Sequence, residues 1–178
     1  MNILAISGSL RAASINSAML RAMVRLADHH IQISLYAGMA DLPLFNPDIE
    51  ASNPASVAAF REQILSADAL LIASPEYAHG ITGVMKNALD WMVSCEAFVN
   101  KPVAILNASP RATLADASLR EILTTMSAVI IEEASITVPI MGAKLDEEKI
   151  FHHPKISVDL ITALAAIQRH VMMNNAAA

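Results

Sequence analysis

Residues 2–16, NILAISGSLRAASIN, carry the pattern around which the rest of the chain is arranged. Ile3 to Ile6 is an apolar run short enough for a buried strand and too short for a helix. The run breaks at Ser7-Gly8-Ser9 and passes Leu10, Arg11, Ser14 and Asn16 before a helical pattern begins. A helix entrance offers unpaired backbone N–H groups and a partial positive charge, so it favours an anion. Ser9, Ser14 and Asn16 add side-chain donors there, and Arg11 adds a fork of charged hydrogen bonds suited to phosphate. Two other phosphate loops fail on this text. The nucleoside-triphosphate loop needs a second glycine and a lysine, and the dinucleotide fingerprint needs glycines where the chain has Leu10 and Ala13. Two readings remain: a hydroxyl-rich turn for a terminal monophosphate, or an ordinary strand-to-helix turn capped by Ser14 or Asn16.

Outward from this stretch, Met19, Leu20, Met23, Val24 and Leu26 recur at helical spacing, and His29-His30 closes that helix. Paired histidines at a helix end suit the dipole; no carboxylate or cysteine nearby has ligand spacing, so no metal is expected. Ile31 to Tyr36 alternates as a second strand. Residues 37–55, with Pro43, Pro47 and Pro54, are long for a connection, and Leu42, Leu44 and Phe45 imply packing against a partner subunit or over a ligand. A helix over 57–66 leads to the continuous apolar run 68–73, which opens into Ser74 to Gly80 and a helix from about Val84 to Val93. Lys101 to Asn107 repeats the design, opening into Ala108 to Thr113 and a helix over 114–126. Ala128 to Val138 reads as the last strand, 146–153 as irregular, and 156–172 as an amphipathic helix.

Five strand-to-helix alternations imply right-handed βαβ units and one α/β domain over residues 1–178. Its expected architecture is a doubly wound, five-stranded parallel sheet in the order 2-1-3-4-5 with helices on both faces. Ligands of such sheets bind beyond the carboxyl ends of the strands where the order reverses. The loops 7–16, 74–80 and 107–113 would then face one crevice.

Composition narrows the function classes. Hydrophobic residues are 54% and charged residues 16%, below the usual quarter, which points to a homo-oligomer or to unusually complete burial in the sheet. A net charge of −5 excludes the basic footprint of a nucleic-acid binder. The single cysteine, Cys95, rules out an internal disulfide and fits a reducing cytoplasm. No apolar run approaches the ~18 residues of a membrane span, and 3–6 is too short for the apolar core of a signal peptide, so a cytoplasmic protein without a membrane partner is expected.

Pro75-Glu76-Tyr77 followed by Gly83-Val84-Met85-Lys86-Asn87-Ala88-Leu89-Asp90-Trp91 resembles the P-E-Y-N…P-G-x-L-K-N-A-x-D-W signature of the NADPH-dependent FMN reductase family. Gly8-Ser9-Leu10-Arg11, Ser14 and Asn16 resemble its opening G-S-L-R-x-x-S-x-N. The resemblance implies a flavodoxin-like sheet, non-covalent FMN, reduction by NADPH or NADH, a homodimer or homotetramer, and small electron acceptors such as quinones or free flavin. Ser9, Arg11, Ser14 and Asn16 would hold the FMN phosphate. Pro75, Glu76, Tyr77, Ala78 and His79 would run along the isoalloxazine, and Ser109 and Arg111 would complete the cofactor set. Lys86, Asn87 and Asp90 would be helix framework, and Trp91 core or subunit contact.

Three positions and one loop depart from the family text. Ala78 and His79 stand for its Asn and Gly, Thr82 stands for its Pro, and the third loop, Ser109-Pro110-Arg111-Ala112-Thr113, lacks the family's glycines. Without glycine, positive φ becomes costly and close backbone approach to a ring is harder. Arg111 either binds a flavin carbonyl or the NADPH phosphate, or is solvated. His79 is either a proton donor to the acceptor or a surface residue. No side chain is expected to act as nucleophile, because the flavin carries the chemistry. Two other readings stay open: a flavodoxin-type electron carrier, and a binding module that has lost flavin.

Overall fold

The computed structural model describes residues 1–140 and 145–177. Its centre is a parallel sheet of β1 (Asn2–Ser7), β2 (Gln32–Leu35), β3 (Ala69–Ala73), β4 (Pro102–Asn107) and β5 (Val129–Ile130), ordered β2-β1-β3-β4-β5. β1 pairs with β2 on one side and β3 on the other, with Ile3 opposite both Ile33 and Ala69. The order therefore reverses at β1, and the expected flavodoxin-like topology is present.

The central strands are apolar throughout because both faces are covered. One face presents Ile3, Ala5, Leu71, Ala73, Ala104 and Leu106 to α1 (Ile15–Leu26), α6 (Glu147–His152) and α7 (Ile156–Ala177). The other presents Leu4, Ile6, Leu70, Ile72, Val103 and Ile105 to α3 (Ala55–Ser66), α4 (Gly83–Asp90) and α5 (Thr113–Thr125). The alternation along each strand thus separates a face rich in alanine from one rich in Leu and Ile.

Three stretches differ from the sequence expectation. The last strand, expected over 128–138, is broken into β5 and β6 (Ile136–Thr137), which both pair with β4. A 3₁₀ turn at Glu132–Ala134 separates them, since Glu132 and Glu133 are exposed and do not enter a covered sheet. Ser135 repairs the gap: its Oγ accepts from Ile105 N at 3.1 Å and donates to Ile131 O at 2.9 Å. Residues 146–153, expected to be irregular, form α6. Asp146 caps it by accepting from Lys149 N at 2.9 Å, Ile150 enters the core, and Arg25 lies 4.1 Å from the Phe151 ring centroid. Arg21 and Arg25 bind Glu147 and Glu148 at 2.8 and 2.6 Å, and the Arg25 bond holds the Glu148 carboxyl below its ordinary range. Finally, α7 over Ile156–Asn174 is long and apolar enough to cross a membrane, with a mean hydropathy of 1.2. Here Leu160, Ala163, Leu164, Ile167 and Val171 pack against the sheet instead.

The long connection after β2 is pinned by the helix that follows β3. It holds a short helix, α2 (Pro47–Glu50), capped by Asn46. Asn87 Nδ2 and Trp91 Nε1 both donate to Pro43 O, at 3.0 and 2.7 Å, and Phe45 N donates to Asn87 Oδ1 at 2.7 Å. Asn87 is therefore framework, as expected, and Trp91 is fully buried core. Leu44 on this connection remains 83% exposed.

Candidate functional site

The first loop leaves β1 at Gly8, whose N–H donates to Ala73 O at 2.8 Å. A Cβ at Gly8 would stand 2.2 Å from Ser74 Oγ, so the first and second loops touch only because this residue has no side chain. Thr82 fastens the same point. Its Oγ1 donates to Gly8 O at 2.7 Å and accepts from Met85 N at 3.1 Å, so it caps α4 and ties that helix to the first loop. A proline, the residue the family text carries here, has no hydroxyl for either bond.

Ser14 caps α1 by accepting from Ser17 N at 3.3 Å. The cap reading is thus correct, and it does not exclude a ligand, because Ser14 also lines the cleft. Ser9 Oγ accepts from Arg11 N at 3.4 Å, and the Arg11 side chain is exposed. Asn16 is buried, with Oδ1 unpartnered among the described residues. A buried amide in that state is placed to bond something other than protein.

In the second loop, Tyr77 and Gly80 exchange both backbone hydrogen bonds, each 3.1 Å. The two residues between them have positive φ, 50° at Ala78 and 62° at His79. This is the two-residue turn that favours Asn-Gly, and the chain fills it with Ala-His. Left-handed backbone costs an ordinary L-residue roughly 1–2 kcal/mol. Glycine gives back part of that gain by loosening the unfolded chain. The double variant Ala78→Asn/His79→Gly is therefore expected to be about 1–2 kcal/mol more stable by urea unfolding. An unchanged or lower midpoint would show that the turn is not left-handed at both positions.

Glu76 reaches out of this turn. Its Oε2 accepts from Ala115 N at 2.9 Å, and its Oε1 lies 3.3 Å from His79 Nδ1. The hydrogen bond from Ala115, with His79 as a further contribution, holds the Glu76 carboxyl below its ordinary range. Glu76 is accordingly the ionised partner of the third loop's helix.

The third loop does without glycine because side chains shape it. Asn107 Oδ1 accepts from Ser109 N at 2.9 Å, Asn107 Nδ2 donates to Ala112 O at 3.1 Å, and Ser109 Oγ accepts from Arg111 N at 3.2 Å. No residue from 107 to 113 has positive φ. The glycines expected from the family text are not needed for this path.

These loops enclose one cleft of about 310 Å³, near the lower end for small-molecule sites. Ser9, Arg11, Ser14 and Asn16 line it from the first loop, Pro75, Glu76 and Tyr77 from the second, and Ser109 from the third. Ala78, His79 and Arg111 do not line it; they sit at exposed positions of the same loops. For Ala78 and His79 the reason is the turn itself, which carries both residues away from the cleft. Asn107 and Ser74 also line the cleft, and their only signal in the sequence is their place at strand ends.

Comparison with known proteins bears directly on this geometry. The sequence profile of NADPH-dependent FMN reductases matches residues 1–141. The chain belongs to this family. An NAD(P)H-dependent FMN reductase of Pseudomonas aeruginosa is 46% identical over 112 residues, covering 61% of this chain and 60% of that protein. A 2-hydroxy-1,4-benzoquinone reductase of a Burkholderia species is 33% identical over 156 residues, covering 84% and 82%. Among solved structures, FerB, a flavoenzyme NAD(P)H:(acceptor) oxidoreductase from Paracoccus denitrificans, is similar with a TM-score of 0.76 and 26% identity. That likeness covers 94% of this chain and 95% of FerB. Within the FMN reductase family, the donor set of this cleft suits the cofactor. Serine hydroxyls, the α1 entrance and Arg11 complement a phosphate, while the buried Asn16 amide has both a donor and an acceptor to offer a phosphorylated polyol.

Proposed function

We propose that this FMN reductase family member is an NAD(P)H-dependent oxidoreductase that uses FMN to reduce quinones, free flavin or related small acceptors. The observation that carries the reading is the convergence of three strand-end loops on one cleft at the sheet's reversal point. A hydroxyl-rich helix entrance lies at one part of its wall and the Pro75–Tyr77 turn at another. The relatives named for quinone and flavin reduction support the acceptor class.

The chemistry FMN supplies when bound is hydride transfer from NAD(P)H to the acceptor. The chain holds and orients it. Ser9, Ser14, Asn16 and the α1 N-terminus take the phosphate, and Arg11 balances its charge. Pro75, Glu76 and Tyr77 line the ring's edge, with Ser109 on the third loop. Ala78 and His79 act through the shape of their turn, and Arg111 lies outside the cleft. Residues 1–178 act as one flavin-binding domain. A homodimer or homotetramer is supported by the apolar composition and by Leu44, Phe45, Ile49 and Val93 at the surface. A cytoplasmic place is supported by the free Cys95 and by the need for NAD(P)H.

The test is the visible spectrum of the purified protein, before and after added FMN. A flavin band is expected, bleached under nitrogen by NADPH or NADH and restored by benzoquinone. A protein that stays colourless after FMN addition and gel filtration would overturn the reading.

A further inference from the structure

Glu76 belongs to the second loop, yet its carboxylate serves the third. Helix α5 begins directly after that loop and has no cap of its own, since its N-cap residue is Ala112 and no side chain there bonds the first turn. Glu76 Oε2 supplies the missing acceptor from across the cleft, 2.9 Å from Ala115 N. An anion at that place also meets the positive end of the helix. The Glu76 side chain is only 14% exposed and lines the cleft. Its other oxygen lies 3.3 Å from Nδ1 of His79, the residue that replaces the family's glycine, so the same carboxylate also touches its own turn.

We propose that Glu76 is a positioning residue for the flavin ring: by capping α5 in place of Ala112, it fixes the spacing between the second and third loops, the two walls that hold the ring. This rests on the reading of the cleft as a flavin site. It makes Glu76 the counterpart of Asn107 and Ser109. Those two shape the glycine-free loop from within, and Glu76 anchors the helix that ends it.

The experiment is titration of the flavin-free protein with FMN and with riboflavin, followed by quenching of flavin fluorescence. Glu76→Ala is expected to weaken both ligands by the same factor, about fivefold, the size of a lost helix cap. Glu76→Gln keeps an acceptor oxygen and should stay within about twofold of the native protein. Glu76→Ala/Ala112→Ser, which gives α5 a cap of its own, should regain the native urea midpoint but leave flavin binding weakened, because it rebuilds no tie between the two loops. A weakening that came only from lost stability would be reversed by that second change. If native protein binds both flavins and Glu76→Ala binds them equally well, the positioning role is wrong while the flavin site stands. If Glu76→Gln loses as much as Glu76→Ala, Glu76 acts by its charge, and if Ala112→Ser restores binding, Glu76 acts only through the stability of α5; either result makes the positioning role wrong. If native protein binds neither flavin, the reading of the cleft fails and the role fails with it.

Discussion

Arg11→Ala weakens FMN binding about tenfold or more and leaves riboflavin binding almost unchanged. A hydrogen bond to a charged group contributes roughly 1.5–3 kcal/mol. Arg11 is exposed at the cleft's edge, where water screens its charge, so the lower end of that range is expected. Riboflavin has the same ring and polyol but no phosphate. The ratio of the two dissociation constants therefore isolates the phosphate contact from any change in the fold. Equal losses for both ligands would show that Arg11 does not touch phosphate. This pattern is the opposite of the one expected for Glu76→Ala, which acts at the ring's walls and lowers both affinities together.

Gly8→Ala has the largest expected effect on the fold itself. The new methyl would meet Ser74 Oγ at 2.2 Å, Ser74 Cβ at 2.7 Å and Ser74 Cα at 3.1 Å. Overpacking of a filled site costs roughly 1–3 kcal/mol. Here the closest atoms are the Ser74 side chain, whose Cβ is fixed to the second loop's backbone, so relief requires the first and second loops to part. That movement also strains the Gly8 N–H bond to Ala73 and the Thr82 bond to Gly8 O. The expected outcome is a lower urea midpoint and loss of bound flavin. Ser74→Gly in the same chain removes the two closest atoms and should restore much of both. If Gly8→Ala alone binds FMN like the native protein, the two loops are not in contact and the cleft is shaped differently.

The sheet was legible because β1, β3 and β4 are apolar on both faces and each breaks abruptly into polar loop residues. Period and break together give strand and loop without any long-range knowledge. The contacts that refine the site are long-range and were not legible. Nothing near Thr82 in sequence predicts a bond to Gly8, 74 residues earlier, and nothing near Glu76 predicts a cap on a helix 39 residues later. Residues 146–153 read as irregular because Ile150 and Phe151 are the only apolar residues of a six-residue helix, too few to show a period. Such a helix is held by buried Ile150 together with the ion pairs to Arg21 and Arg25 of α1. The turn at Ala78 and His79 is a different case. Substituting Ala-His for Asn-Gly removes the composition signal of a left-handed turn, while the hydrogen-bonded pair Tyr77 and Gly80 preserves its geometry. The third loop is the converse case, where glycine is absent and no residue takes a positive φ.

Crystals grown with FMN test the central claim most directly, through the electron density of the flavin. The phosphate is expected against Ser9, Arg11, Ser14 and Asn16 at the entrance of α1, with the isoalloxazine between the Pro75–Tyr77 turn and Ser109. Density that places the phosphate away from the α1 entrance, or the ring away from those two loops, would contradict it.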